Sequence, residues 1–180
     1  MDDRDLLARI RQGDQGAFDT LFRAHYAALV RHVEGMLRRR DVAEEVVQDV
    51  MLELWRRRET LVVDDSLRAY LYRATRNRAL NHLRHEAIVR RSEPELTPDP
   101  ESRPRGDAEL VLEELDAAIK RAVAELPDRC REVFELSRMR GLKYSEIAST
   151  LGISVKTVEA QMGKALRLLR ASLAGWLPGG

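Results

Sequence analysis

Cysteine is almost missing from this sequence: Cys130 stands alone among 180 residues. One thiol closes no internal disulfide, so the fold must hold without covalent staples, and the expected setting is a reducing, cytoplasmic one. No apolar run approaches the roughly 20 residues that a membrane span needs. The start, Met1-Asp-Asp-Arg-Asp-Leu-Leu, lacks the cationic opening and apolar stretch of a secretory signal. Aromatic residues make up only 5%, and no alternation of apolar and polar residues runs beyond a few positions. Both absences argue against a sheet protein. No glycine-rich phosphate loop, nucleophile–base arrangement or paired catalytic carboxylates stand out, so an enzyme is the least favoured class and no catalytic residue is assigned. His82 and His85 are spaced as one helical turn would space metal ligands, but no set completes them, so neither a metal nor another cofactor is expected.

What is present is charge and helix-forming residues. Charged residues are 34% of the chain and hydrophobic ones 44%, enough for a core. The net charge of +1 hides a partition. Residues 1–91 carry 18 Lys and Arg against 15 Asp and Glu, residues 92–116 carry 2 against 9, and residues 117–180 carry 11 against 6. Two basic blocks flanking an acidic one suit two separate contacts with a polyanion. Residues 92–106 hold four of the six prolines and, apart from Leu96, no large apolar residue. Such a stretch reads as a flexible acidic linker, extended by proline and by self-repulsion. The expected fold is therefore all-α, with two small helical domains on a tether.

Before the linker, four helical segments are expected at 3–12, 15–38, 41–57 and 66–90. In the second, Phe18, Leu21, Phe22, Tyr26, Leu29, Val30, Val33 and Leu37 recur at steps of three and four. The third opens with Asp41 as N-cap and Glu44 three residues on, a capping-box pattern, and Val42, Val46, Val50 and Leu54 mark its apolar stripe. Ser66 caps the fourth. After the linker, residues 107–126 place Val111, Leu115, Ile119, Val123 and Leu126 on one stripe ended by Pro127, and residues 128–140 end at Gly141.

The stretch Tyr144 to Ala165 then reads as two short helices joined at Gly152, the second opening on Ser154 and continuing to about Leu173. That is a helix-turn-helix, here expected as a four-helix, winged-helix-like unit, which sets its second helix into a DNA major groove. At about 100° per residue, Val155, Val158, Met162, Ala165, Leu166 and Leu169 share one face, with Lys156, Thr157, Ala160, Gly163, Lys164 and Arg167 opposite. Lys156, Lys164 and Arg167 can meet phosphates, and Thr157 and Gln161 can reach base edges. Ser154 caps the helix, whose N-terminus favours a phosphate.

Residues 67–91 hold seven arginines against one acid, Glu86. Arg73, Asn77, Asn81 and Arg84 fall within about 80° on a helix, with Arg76 nearby and Tyr70 and Tyr72 just before. Charge for a backbone and rings for stacking are what single-stranded nucleic acid requires; core tyrosines beside a solvated basic face are the plainer reading. On the helix at 41–57, Asp41, Glu44, Glu45, Asp49 and Glu53 make a face unsuited to DNA and suited to a basic protein surface, or simply to water.

Taken together these segments resemble an RNA polymerase sigma factor, specifically the small extracytoplasmic-function (ECF) group of the sigma-70 family. Asp41-Val-Ala-Glu-Glu-Val-Val-Gln-Asp-Val-Met-Leu-Glu-Leu-Trp55 is similar to the family's helix that docks on the coiled coil of the polymerase β′ subunit. Leu67-Arg-Ala-Tyr-Leu-Tyr-Arg-Ala-Thr-Arg-Asn-Arg-Ala-Leu-Asn-His-Leu-Arg84 is similar to its promoter-melting, minus-ten-reading segment. Leu126-Pro-Asp-Arg-Cys-Arg-Glu-Val-Phe134 and the helix-turn-helix are similar to its minus-thirty-five domain. The resemblance implies a region-2-like domain at 1–91, the linker at 92–106 and a region-4-like domain at 107–176. It implies binding to core polymerase, through the β′ coiled coil and the β flap, and to promoter DNA, with room for an anti-sigma factor.

By the same resemblance, Asp41, Glu44, Glu45, Gln48, Asp49, Glu53 and Trp55 would dock on the core. Tyr70, Tyr72, Arg73, Arg76, Asn77, Asn81 and Arg84 would take the minus-ten strand, with a flipped base held partly by the loop from Glu59 to Ser66. Ser154, Lys156, Thr157, Gln161, Lys164 and Arg167 would read the minus-thirty-five duplex, and the linker would run near the RNA exit path. Tyr70 stands where many members carry tryptophan, Glu159 and Gln161 where many carry basic residues, and Lys143 where a capping hydroxyl is common. The other readings are an ordinary helix-turn-helix regulator, which would bind duplex DNA tightly without polymerase, and a protein-interaction module with no nucleic-acid role.

Overall fold

The computed structural model describes residues 2–64, 66–89 and 107–176. Among the described residues no strand occurs, and the helix-turn-helix segment is built of helices alone. The expected linker at 92–106 lies outside the described residues. By its contacts the chain divides into two compact units, Met1–Ser92 with Ser145–Ile153, and Glu93–Tyr144 with Ser154–Gly180.

The first unit is built from α1 (Asp3–Arg11), α2 (Gln15–Leu37), α3 (Arg40–Arg56), α4 (Leu67–Val89) and nearly all of α7 (Tyr144–Leu151). Gly13 turns the chain between α1 and α2 at φ +84, a left-handed conformation that a side chain would strain. Asp14 then caps α2 by accepting the Ala17 N–H at 3.1 Å. That bond, with Arg9 at 2.8 Å, holds its carboxyl below the usual range. On α3 the expected cap moves. Arg39 is the N-cap residue, and Asp41 stands in the first turn paired to Arg39 at 2.8 Å, while Glu44 takes Arg40 at 3.1 Å. The carboxylates that would have closed a capping box are engaged by two arginines instead, and the first-turn position still favours an acid through the helix dipole. Ser66 does cap α4, accepting the Ala69 N–H at 3.0 Å.

Of the expected stripes, Leu21, Leu29, Val30, Val33 and Leu37 of α2 and Val42, Val46, Val50 and Leu54 of α3 are buried, while Phe18, Phe22 and Tyr26 of α2 are half-buried; Leu67, Leu71 and Tyr72 of α4 and Ile10 of α1 complete the core. Each such side chain contributes about 1.5–3 kcal/mol by leaving water.

The second unit holds α5 (Asp107–Ala124), α6 (Asp128–Phe134) and α8 (Val155–Ser172). Ala122, Val123, Leu126 and Cys130 pack with Ala165 and Leu169 of α8, flanked by Phe134 and Leu173. The helix expected over 128–140 is in fact two conformations: after α6 the backbone widens into a π-helical turn, Glu135–Met139. The Leu142 N–H reaches the Leu136 carbonyl at 2.9 Å, and Gly141 takes φ +70 to end it. The stripe on α5 is incomplete. Val123 is buried, but Ile119 is 37% exposed, and Val111's side chain lies outside the described ones.

At the end of α7, Gly152 takes φ +65 and the Ile153 N–H bonds to the Ala148 carbonyl at 3.0 Å. This is the closing pattern of a helix C-terminus, and it uses the one residue type that enters it without strain.

Candidate nucleic-acid interface

On α4 the helical phase sorts the candidates. Asn77, Asn81 and Arg84 are exposed, and Arg73 and Arg76 are half-buried. Arg84 reaches the Asn81 side-chain oxygen at 3.4 Å, and Arg73 donates to Ser149 Oγ at 3.3 Å. Tyr70 is half-buried, and burial pushes its phenol above the ordinary value, so at neutral pH it offers an uncharged ring and hydroxyl. Tyr72 is different. It is 1% exposed, with the His32 ring set edge-on at 5.3 Å. Two residues along a helix turn a side chain by about 200°, so the two tyrosines cannot share a face, and Tyr72 belongs to the core and not to the strand-binding set.

Beside this face, Val42, Glu45, Val46 and Asp49 of α3 and Arg78, Asn81, His82 and His85 of α4 line a groove of about 370 Å³. Asp49 pairs with Arg78 across it at 3.3 Å. His82 is engaged by Glu86 of its own helix at 2.9 Å.

The docking candidates lie on the outer face of α3. Asp41, Glu45, Gln48 and Asp49 are exposed, and Glu44, Glu53 and Trp55 are half-buried. The Arg39 hydrogen bond lowers the Asp41 carboxyl pKa. Trp55 is held between two groups, the Phe18 ring at 5.1 Å and the Arg58 guanidinium 4.4 Å from its centroid. It forms one wall of an apolar groove of about 440 Å³, with Gln15, Phe18, Phe22, Gln48, Met51 and Leu52. The sequence reading missed this groove because it placed Phe18 and Phe22 in the buried stripe. One signal was available: Leu52 falls among the acidic residues of α3, out of step with the valines, and is 45% exposed.

On α8, Ser154 caps the helix by accepting the Thr157 N–H at 3.1 Å, and the two hydroxyls meet at 2.8 Å. Lys156, Lys164 and Arg167 are exposed, and among the described residues none forms an ion pair. Ala160 is exposed, and the space where a Cβ on Gly163 would lie is open to 4 Å, so nothing bulky keeps a surface from this backbone. Gln161 sits at the margin, half-buried, its Oε1 accepting from Cys130 Sγ at 2.9 Å. Glu159 is exposed on the other margin. The docking and minus-ten candidates thus share the first unit, and the minus-thirty-five candidates share one helix of the second.

Two family matches cover most of this architecture: Sigma-70 region 2 over residues 21–88 and Sigma-70, region 4 over residues 116–169. The ECF RNA polymerase sigma factor SigM of Mycobacterium tuberculosis is 30% identical over 175 residues, covering 97% of this chain and 86% of SigM. The RNA polymerase sigma factor CnrH of Cupriavidus metallidurans is 28% identical, covering 95% and 94%. The solved complex of CnrH with the cytosolic domain of CnrY superposes with a TM-score of 0.68 at 28% identity, over 96% of this chain and 97% of that one. The sigma factor RpoE of Bartonella quintana, solved with the anti-sigma factor NepR, gives 0.64 at 21% identity over 87% and 96%, a likeness of fold.

Proposed function

The chain belongs to the extracytoplasmic-function group of the sigma-70 family, and from that premise we propose how its faces divide the work of opening a promoter. As an RNA polymerase sigma factor it binds core polymerase and promoter DNA and directs promoter-specific initiation of transcription. The family is not catalytic in general; in our reading this chain too leaves all bond making to the polymerase. Residues 1–91 act as the docking and melting domain, 92–106 as the tether and 107–176 as the minus-thirty-five domain, which also meets the β flap.

The observation that carries the division is the sorting of side chains within the first unit. An exposed Asn77–Asn81–Arg84 face on α4 and an acidic face on α3 are joined through the Asp49–Arg78 pair. The α4 face takes the unstacked non-template strand. Arg73, Arg76 and Arg84 meet its backbone, Asn77 and Asn81 its bases, and Tyr70 supplies the ring. Base stacking on an aromatic side chain is worth about 1–3 kcal/mol, comparable with the few kcal/mol that unstacking costs. The α3 face takes the β′ coiled coil, its acids meeting basic groups and the Phe18–Leu52–Trp55 groove accepting an apolar side chain.

On α8, Lys156, Lys164, Arg167 and the Ser154-capped N-terminus hold phosphates, while Thr157 and Gln161 face base edges. NepR's place on a sigma factor of this fold supports a similar protein antagonist here, competing for surfaces the polymerase uses. Transcription by core polymerase with this protein on a randomised promoter library tests the proposal. Enrichment of a two-part promoter, dependent on both, is the expected result; tight, selective duplex binding without core, and no enrichment with it, would reject it.

A further inference from the structure

Along α8, from Val155 to Ser172, Glu159 is the single acid among the cations Lys156, Lys164, Arg167 and Arg170. In a helix laid in the major groove it is the N-terminal residues that contact base edges. In the first two turns of α8, Val155, Lys156, Glu159 and Ala160 are exposed, while Thr157 and Gln161 are half-buried. Glu159 lies on the same side as Lys156 and Gly163, about 60° and about 40° away around the helix. Ala160 is small, and the space where a Cβ on Gly163 would lie is open, so the longer Glu159 side chain stands out beyond the backbone on that side. Lys156 is one turn back, yet among the described residues no ion pair or hydrogen bond engages the Glu159 carboxylate.

We propose that Glu159 is a specificity-determining residue, selecting cytosine at one base pair of the minus-thirty-five element. The proposal rests on the reading of α8 as the minus-thirty-five helix. A carboxylate with no cation beside it repels phosphates whatever the sequence, so it favours binding only where a base offers it a donor. It accepts and does not donate. In the major groove cytosine presents the N4 amino group, guanine presents N7 and O6, thymine presents O4, and adenine presents the N6 amino group next to the N7 acceptor. The carboxylate therefore gains at cytosine, is repelled by guanine and thymine, and at adenine sets one attraction against one repulsion. Its two oxygens are equivalent, so turning it over changes nothing it offers, and it needs no neighbour to fix its direction.

The test reads enrichment from the promoter library by the full chain with core polymerase, in the parent protein, Glu159→Ala and Glu159→Gln. Alanine and glutamine are good helix formers and the position is exposed, so both variants keep the fold. The parent is expected to enrich cytosine at one minus-thirty-five position. In Glu159→Ala the cytosine-to-thymine ratio there falls roughly tenfold, the scale of one mismatched base pair, while binding to promoters that lack the cytosine tightens because the repulsion is gone. In Glu159→Gln the preference moves to adenine, since an amide accepts from N6 and donates to N7 together. An unchanged base profile in Glu159→Ala, with affinity raised evenly across sequences, overturns the proposal, because Glu159 then only repels phosphates. Loss of a preference for another base in place of cytosine overturns it too. A parent protein that enriches no minus-thirty-five sequence at all rejects the reading of α8 itself, and the proposal with it.

Discussion

The two helices proposed to face DNA are finished differently. On α4 several polar side chains are already engaged, Arg73 with Ser149, Arg78 with Asp49, His82 with Glu86 and Arg84 with Asn81. On α8 the cations stand clear, and the held side chains are Thr157, at the Ser154 cap, and Gln161. The contrast follows from the proposed targets. An extruded strand has no shape of its own, so the protein must supply one, and a face whose side chains hold each other is ordered before the strand arrives. A duplex comes with its phosphates in place. Mobile lysines suffice to follow them, and a hydroxyl or amide that reads a base needs a fixed direction.

The sharpest way to break this comparison is at the tyrosines. Tyr72→Ala should cost about 3–5 kcal/mol of stability as a buried aromatic truncation, measured by urea denaturation. Tyr70→Ala should leave stability within about 1 kcal/mol and impair promoter opening; the reverse pattern would put the wrong ring in the core. Next in size, Asp49→Lys with Glu53→Lys should weaken capture of core polymerase on the order of a hundredfold, since like charges across an interface cost several kcal/mol. Unchanged pull-down would remove the docking assignment.

Lys164→Ala should lower promoter affinity by a similar factor for every sequence and reduce the salt slope by about one; a changed base preference would mean that it reads sequence. The smallest effect belongs to the cap: Ser154→Ala should destabilise α8 by about 1 kcal/mol. A loss below about 0.3 kcal/mol, by the same thermal or urea titration, would show that the cap bond to Thr157 adds little beyond solvent.

What was legible in the sequence was local. Ser66 and Ser154 could be recognised as caps because a cap bonds three residues away, and Gly152 because the turn needs a positive φ whatever surrounds it. Most of the apolar stripes of α2 and α3 follow from helical period alone, as does the all-α class. Asp41 misled because its fate depended on Arg39 and Arg40, which compete for the carboxylates of a capping box. The π turn after α6 left no mark in the residue pattern. Tyr72 was grouped with Tyr70 by proximity in sequence although the helix sends them to opposite sides. The groove at Trp55 and the Cys130–Gln161 bond join side chains 31 or more residues apart, and no periodicity reports which distant residues meet.

The central claim is that strand capture and duplex reading reside on separate helices. It is tested most directly by following both events in one holoenzyme carrying Asn81→Ala and Arg84→Ala. Footprinting reports occupancy of the minus-thirty-five duplex, and permanganate reactivity of unpaired thymines reports opening at the minus-ten element. The account predicts that minus-thirty-five protection persists while thymine reactivity falls by about tenfold or more, the scale of losing two contacts worth about 1 kcal/mol each. Equal loss of protection and reactivity would contradict it.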